Sequence, residues 1–235
     1  MKTVFRIRVL FLLLSIVYSF SVLAQAELDE SGVVYLGHFE VDYSSEVSAV
    51  EIIKEYAKEA KEASGNSQFE VLQNVYRSDQ FAIIEAWQDQ QSREAFLGSP
   101  VANDFRTKLV PMLTAAYDER QQGVLDYESD AGTNTDPQED ALYLLTHVDI
   151  GRQGTAKAEG LLKSVAADAR AQDGNTRFNV YIQTTRSNHF TVVEVWNSQQ
   201  FYLTHSETES FKSFRHEVQP MMGSLYDERM YSLIQ

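Results

Sequence analysis

The chain contains no cysteine, and that one absence removes disulfides, thiolate metal sites and thiol nucleophiles together. Basic residues are also short: 20 Lys and Arg face 34 Asp and Glu, a formal charge of −14. Nucleic-acid backbones and anionic membrane surfaces are held by clustered Lys and Arg, so neither is an expected partner. What remains is ordinary globular material, 43% hydrophobic and 23% charged over 235 residues, enough for one large domain or two of about 100 residues.

Long apolar runs are missing except at the start. Lys2, Arg6 and Arg8 precede an almost wholly apolar stretch from Val9 to Ala24, and small residues follow at Val22-Leu23-Ala24 and Ala24-Gln25-Ala26. This pattern predicts a secretory signal peptide over 1–26, cleaved to leave Gln25 or Glu27 first. The stretch is short for a membrane span, which usually needs about 20 apolar residues. Loss of its three basic residues leaves a mature charge of −17. The expected product is acidic and periplasmic or secreted, with no membrane contact once the leader is removed.

Laid on itself with a shift of 109, the sequence repeats: 34–122 matches 143–231 without a gap, with about 25 identities in 89 positions. The pairs include His38/His147, Phe81/Phe190, Glu85/Glu194, Trp87/Trp196 and Arg106/Arg215, and the run Tyr117-Asp118-Glu119-Arg120 recurs as Tyr226-Asp227-Glu228-Arg229. Two copies of one domain are expected, 32–126 and 141–235. The acidic, turn-rich segment 127–140 between them reads as a solvated linker. Its alternating acids suggest a calcium loop, but Ala131 stands where the turn glycine belongs and Pro137 where the bidentate Glu belongs.

Within each copy the periodicity runs strand, helix, strand, strand, helix, strand. In the first copy, Gly32 to Val41 alternates, and Val47, Val50, Ile53, Tyr56 and Ala57 recur at helical spacing within Glu46 to Ala63. Phe69 to Tyr76 and Phe81 to Trp87 flank the turn Arg77-Ser78-Asp79-Gln80. A polar helical stretch from Asp89 to Leu113 breaks at Gly98-Ser99-Pro100, and Tyr117 to Leu125 closes as a strand. The fold class is therefore α+β, with tandem ferredoxin-like βαββαβ domains, each a four-stranded antiparallel sheet with both helices on one face. Apolar residues occupy both strand parities, so the second sheet face must be covered too, and the two copies are expected to cover each other.

Phe81-Ala-Ile-Ile-Glu85-Ala-Trp87 and Phe190-Thr-Val-Val-Glu194-Val-Trp196, each followed by a polar helix and then by Phe105/Phe214 and Pro111/Pro220, resemble the antibiotic biosynthesis monooxygenase family. That family forms dimeric α+β barrels and includes quinol and haem-degrading monooxygenases. The resemblance implies an intramolecular pseudo-dimer, which allows a monomeric protein, and cofactor-independent chemistry with no metal or flavin. A phenolic or quinol-like aromatic is bound and deprotonated, and its anion gives an electron to O2. Such chemistry needs an apolar pocket, a base and a donor for the developing oxyanion.

Candidate residues follow. His38 and His147 are expected to approach Glu85 and Glu194 across neighbouring strands, a carboxylate raising the basicity of each imidazole; a purely structural His–Glu pair is the alternative. Trp87 and Trp196 share their strand face with those glutamates and are expected either to stack on a flat substrate or to pack the core. Arg77 and Arg186 are expected in solvent at the turn, Arg106 and Arg215 at a pocket mouth, and the Tyr-Asp-Glu-Arg run at a helix–strand junction held by local ion pairs. His205 follows Trp196 by nine residues, as in the family's active helices, whereas Phe96 stands at that point of the first copy. The catalytic set is thus expected in the second copy, as His205, Trp196, His147 and Glu194, with Trp87, His38, Glu85 and Arg215 binding substrate. The haem-degrading branch is disfavoured because Gly37 and Thr146 stand where its strand-one Asn belongs. An exported enzyme and a non-catalytic ligand-binding or stress-response module both stay open.

Overall fold

A computed structural model describes residues 32–127 and 140–234. The leader and almost all of the linker lie outside them. The first copy runs β1 (Val33–Glu40), α1 (Glu46–Glu62), β2 (Asn66–Asn74), β3 (Gln80–Trp87), α2 (Gln90–Leu97), α3 (Pro100–Leu109) and β4 (Asp118–Asp126). The second repeats it as β5 (Leu142–Asp149), α4 (Thr155–Arg170), β6 (Asn175–Gln183), β7 (His189–Trp196), α5 (Gln199–Ser206), α6 (Glu209–Val218) and β8 (Asp227–Ile234).

Local chemistry sets the boundaries. On α1, Ala49, Ile53, Tyr56, Ala57 and Ala60 form the buried stripe that turns the helix toward the sheet. The next turn needs a left-handed residue, supplied by Gly65 at φ 79° and by Gly174 at φ 81°. The expected break in the second helix separates α2 from α3: Ser99 caps the Ala102 amide and Pro100 opens the new helix. β2 begins at Asn66, earlier than its first apolar residue Phe69, because Asn66 already pairs with Trp87 across a bulge. At the β2–β3 turn, Asn74 Oδ1 accepts from the Tyr76 and Arg77 amides, and Arg77, about half exposed, pairs with Glu40 and Asp79.

The eight strands close into one barrel in the order β1-β3-β2-β8-β5-β7-β6-β4. Each copy contributes its own four-stranded sheet, and the copies join edge to edge, β2 to β8 (Val71 opposite Ile234) and β4 to β6 (Gln122 opposite Gln183). The copies therefore cover each other as expected, through hydrogen-bonded seams that leave no free edge. Closure explains the apolar residues on both parities. One parity of β3, with Phe81, Ile83, Glu85 and Trp87, packs under α1, α2 and α3, while Ala82, Ile84 and Ala86 fill the lumen. Lumen residues Leu36, Ile84, Leu145 and Val193 are fully buried, each worth about 1.5–3 kcal/mol. Among the described residues no helix is long and apolar enough to cross a membrane.

Candidate functional site

His38 and His147 meet inside the lumen, the equivalent atoms of the two copies facing each other, Nε2 to Nε2 at 3.2 Å. His147 Nδ1 is 3.2 Å from Thr191 Oγ1. The expected pairing with Glu85 and Glu194 is overturned by register. Tyr35, not His38, lies opposite Glu85, and Leu144 lies opposite Glu194, so each histidine points inward while each glutamate points outward to the helices. Burial, then the neighbouring imidazole and the Arg229 and Arg120 guanidiniums, lower His38 to about 3; burial and Arg120 lower His147 to about 4. Both are neutral at physiological pH.

The two helix–sheet layers start from the same pair. Trp87 Nε1 donates to Glu85 Oε2 and Trp196 Nε1 to Glu194 Oε2, both at 2.9 Å. They are completed differently. In the first copy Arg93 of α2 donates to Glu85 Oε1 through Nε (2.8 Å) and Nη2 (2.6 Å), and Nη2 also reaches Glu119 Oε1 of β4 at 2.6 Å. Its guanidinium carbon stands 3.5 Å from the centre of the Tyr35 ring. In the second copy the position of Arg93 holds Tyr202, whose hydroxyl donates to Glu228 Oε1.

His205, expected as the working acid or base, stands at the position of Phe96 and is fully buried. It stacks on Trp196 with ring centres 4.8 Å apart and also touches Phe178 and Phe211. Its Nδ1 is 3.0 Å from Gln172 Oε1, while Nε2, 4.0 Å from Glu194 Oε2, has no hydrogen-bond partner among the described residues. Burial, together with the charge of Glu228, pushes Glu194 up to about 8, and burial pushes His205 down to about 4. At neutral pH the proton sits on Glu194 and both groups are uncharged.

An open cavity of about 290 Å³ lies in the first copy, between the outer sheet face and helices α1 and α3. Tyr56, Phe69, Ile83, Phe105 and Leu109 supply its apolar walls, and Glu85, Arg106, Tyr117 and Glu119 supply its polar groups. This is the small end of the usual ligand-pocket range of about 300–1,000 Å³. Arg106 is fixed by bonds from Nη2 to Leu97 O (2.8 Å) and Asn103 Oδ1 (2.6 Å). Its counterpart Arg215, expected to bind substrate, instead lies over the Tyr226 ring at 3.4 Å. Neither tryptophan and no histidine lines the cavity, and the Trp87 indole is held by Glu85. Among the described residues no three His, Asp or Glu side chains group as metal ligands.

Gly37 makes room for the cavity's tyrosine. A Cβ there would stand 2.2 Å from Tyr117 Oη, whereas the second copy carries Thr146 at the matching position. Gly37→Ala should force the Tyr117 ring out of place and cost about 1–3 kcal/mol in urea unfolding, as overpacking does. Unchanged stability would show that the ring relaxes freely.

Sequence reasoning missed Arg93, Tyr117 and Glu119. The Tyr-Asp-Glu-Arg run does hold local ion pairs, Arg120–Asp118 (2.6 Å) and Arg229–Asp227 (2.7 Å), but its tyrosine and glutamate in the first copy turn to the cavity. The Arg93/Tyr202 difference, three residues before Phe96/His205, was the available sign.

The family model for antibiotic biosynthesis monooxygenases matches residues 33–108 and 146–217. Solved structures with the same fold include a candidate monooxygenase of Fusobacterium nucleatum, 13% identical, covering 87% of this chain and 93% of that one at a TM-score of 0.77. A candidate monooxygenase of Lactobacillus acidophilus is 12% identical over 88% of this chain and 95% of its own, with a TM-score of 0.71. An anthrone oxidase-like protein is 15% identical over 88% and 93%, with a TM-score of 0.68. No curated protein matches. Each half of the barrel carries its own match to the family model, and the chain belongs to the antibiotic biosynthesis monooxygenase family.

Proposed function

We propose that this chain is an exported, cofactor-independent monooxygenase that oxidises a quinol-like or polycyclic phenolic aromatic with O2. The observation that carries the reading is the first-copy cavity: aromatic and aliphatic walls suited to a flat ring system, with carboxylate, phenol and guanidinium groups among its lining for the ring hydroxyls. Family membership supports monooxygenase-type chemistry. The working site is thus moved from the second copy, where His205 is sealed beneath aromatic rings, to the first.

A non-catalytic exported binding module is the second reading. It is favoured by the packed lumen and by a cavity with no histidine or tryptophan in its wall. Haem degradation finds less support, since Gly37 offers no side chain and Thr146 is fully buried.

An oxygen electrode separates the readings. The mature protein should accelerate O2 uptake by a reduced naphthoquinol or an anthrone, with one oxygen atom appearing in the product by mass spectrometry. Tight binding without O2 uptake would leave the binding module. Amino-terminal sequencing of the exported protein should start at Gln25 or Glu27; intact Met1 on cytoplasmic protein would sink the export reading.

A further inference from the structure

The polar groups of the cavity differ in what they have left to give. Glu85 is committed at both oxygens: Oε1 accepts two bonds from Arg93, Oε2 accepts the Trp87 indole, and the side chain is buried. Arg106 can only donate. Tyr117 and Tyr56 are held as neutral phenols, since burial raises both well above the ordinary tyrosine value, helped by Glu119 and Glu85 for Tyr117 and by Glu85 for Tyr56. They can donate or accept a hydrogen bond but do not take up a proton.

Glu119 is different. One oxygen, Oε1, accepts Arg93 Nη2 at 2.6 Å, while Oε2 has no hydrogen-bond partner among the described residues. Its side chain is 33% exposed, so it touches both cavity and solvent.

We infer that Glu119 is the proton acceptor of the first-copy site, taking the proton of a bound phenol or quinol hydroxyl; this rests on the reading of the cavity as the substrate site. The substrate O–H bond breaks, an H–Oε2 bond forms, and the electron pair stays on the substrate oxygen as a phenolate. The proton then leaves Glu119 for bulk water through its exposed edge. Arg93 is the positioning residue. It clamps Glu119 through the oxygen not used in the transfer, and it is itself fixed by Glu85 and the Tyr35 face. The second copy lacks this arrangement: Glu228 accepts Tyr202 on one oxygen, and its other oxygen is buried without a partner among the described residues. At this matched position of β4 and β8, only the first copy has its glutamate held by an arginine.

The test uses 1,4-dihydroxynaphthalene with the mature protein. Its dissociation constant is measured anaerobically by quenching of protein fluorescence, and its O2 uptake is followed against pH. Glu119→Gln should bind within about threefold of wild type, lower kcat by about 10²-fold or more, and abolish the acid limb of the kcat profile. Added formate should restore part of the rate to Glu119→Ala, which a purely structural loss would not permit. Glu228→Gln should keep the wild-type rate. If wild type turns over the quinol and Glu119→Gln does so equally, with the same pH profile, the inference is overturned while the site reading survives. Wild type that neither binds nor oxidises the quinol removes the site reading, and the inference with it.

Discussion

Acidification from pH 6.5 to 4.5 should destabilise the barrel by about 5 kcal/mol, with a net uptake of about two protons on unfolding. Three buried histidines drive it. His38 is lowered to about 3, and His147 and His205 to about 4, so below 6.5 the unfolded chain takes up three protons that the folded chain refuses. Glu194 works in the opposite direction. Its folded value is raised to about 8 against an ordinary 4.5, so in this window the folded chain holds a proton that the unfolded chain releases. The difference, two protons, corresponds to about 2.7 kcal/mol per pH unit. Set against a typical total of about 5–15 kcal/mol, this consumes much of the stability before the carboxylates titrate. Near pH 7 the protons still held by the three unfolded histidines balance the one that folded Glu194 holds, so the maximum is expected there, and above it stability should fall by less than about 1 kcal/mol per unit up to the folded value of Glu194. Urea unfolding across pH checks it: His205→Phe should remove one proton from the acid slope, and Glu194→Gln should flatten the alkaline side. A stability curve level from pH 6.5 to 4.5 would reject the account.

Arg93→Leu should cost about 3–5 kcal/mol, the usual penalty for stripping one partner from a buried ion pair. Glu85 is 5% exposed and would be left with only the Trp87 indole. Burial already pushes the Glu85 carboxyl upward, and Arg93, together with the Trp87 indole, opposes that push. The loss should therefore shrink when Glu85→Gln is added, and a double-mutant cycle measures by how much. Arg93→Tyr, which copies the second layer, should cost less than Arg93→Leu, because a hydroxyl can reach Glu119 as Tyr202 reaches Glu228. A loss below about 1 kcal/mol for Arg93→Leu, read from urea midpoints, would mean that water replaces the guanidinium.

Most of the architecture was legible because each element states its period locally. The stripe on α1, the alternation of β1 and β3 and the gapless repeat are properties of neighbouring residues, and two-sided apolar strands required a second cover. The site was less legible, since it depends on register between strands. Parity alone shows that His38 and Leu36 share a face, and that Glu85 and Trp87 share a face. It does not show that these faces are opposite until Tyr35 is known to pair with Glu85. The His205 expectation followed a difference between the copies and found a real one, yet burial decides its meaning. A histidine enclosed by Trp196, Phe178 and Phe211 fills the layer, as Phe96 does beside Trp87 and Tyr56. Arg93 went unnoticed because an arginine in a polar helix looks solvated until a strand from the far end of the same copy brings Glu119 beneath it.

The seam between β2 and β8 also governs the order in which the molecule can be assembled. β2 belongs to the first third of the chain and β8 is the last described strand, so Val71, already paired with Ile83 on one side, waits for Ile234 on the other. During synthesis the first copy can form β4-β1-β3-β2, but with both outer strands unpaired and its lumen face bare. Contacts this distant in sequence are slow to form, and an open strand edge invites another chain. Loss of residues 227–234 would leave β2 and β5 without their shared partner permanently, turning a closed cylinder into a template for aggregation.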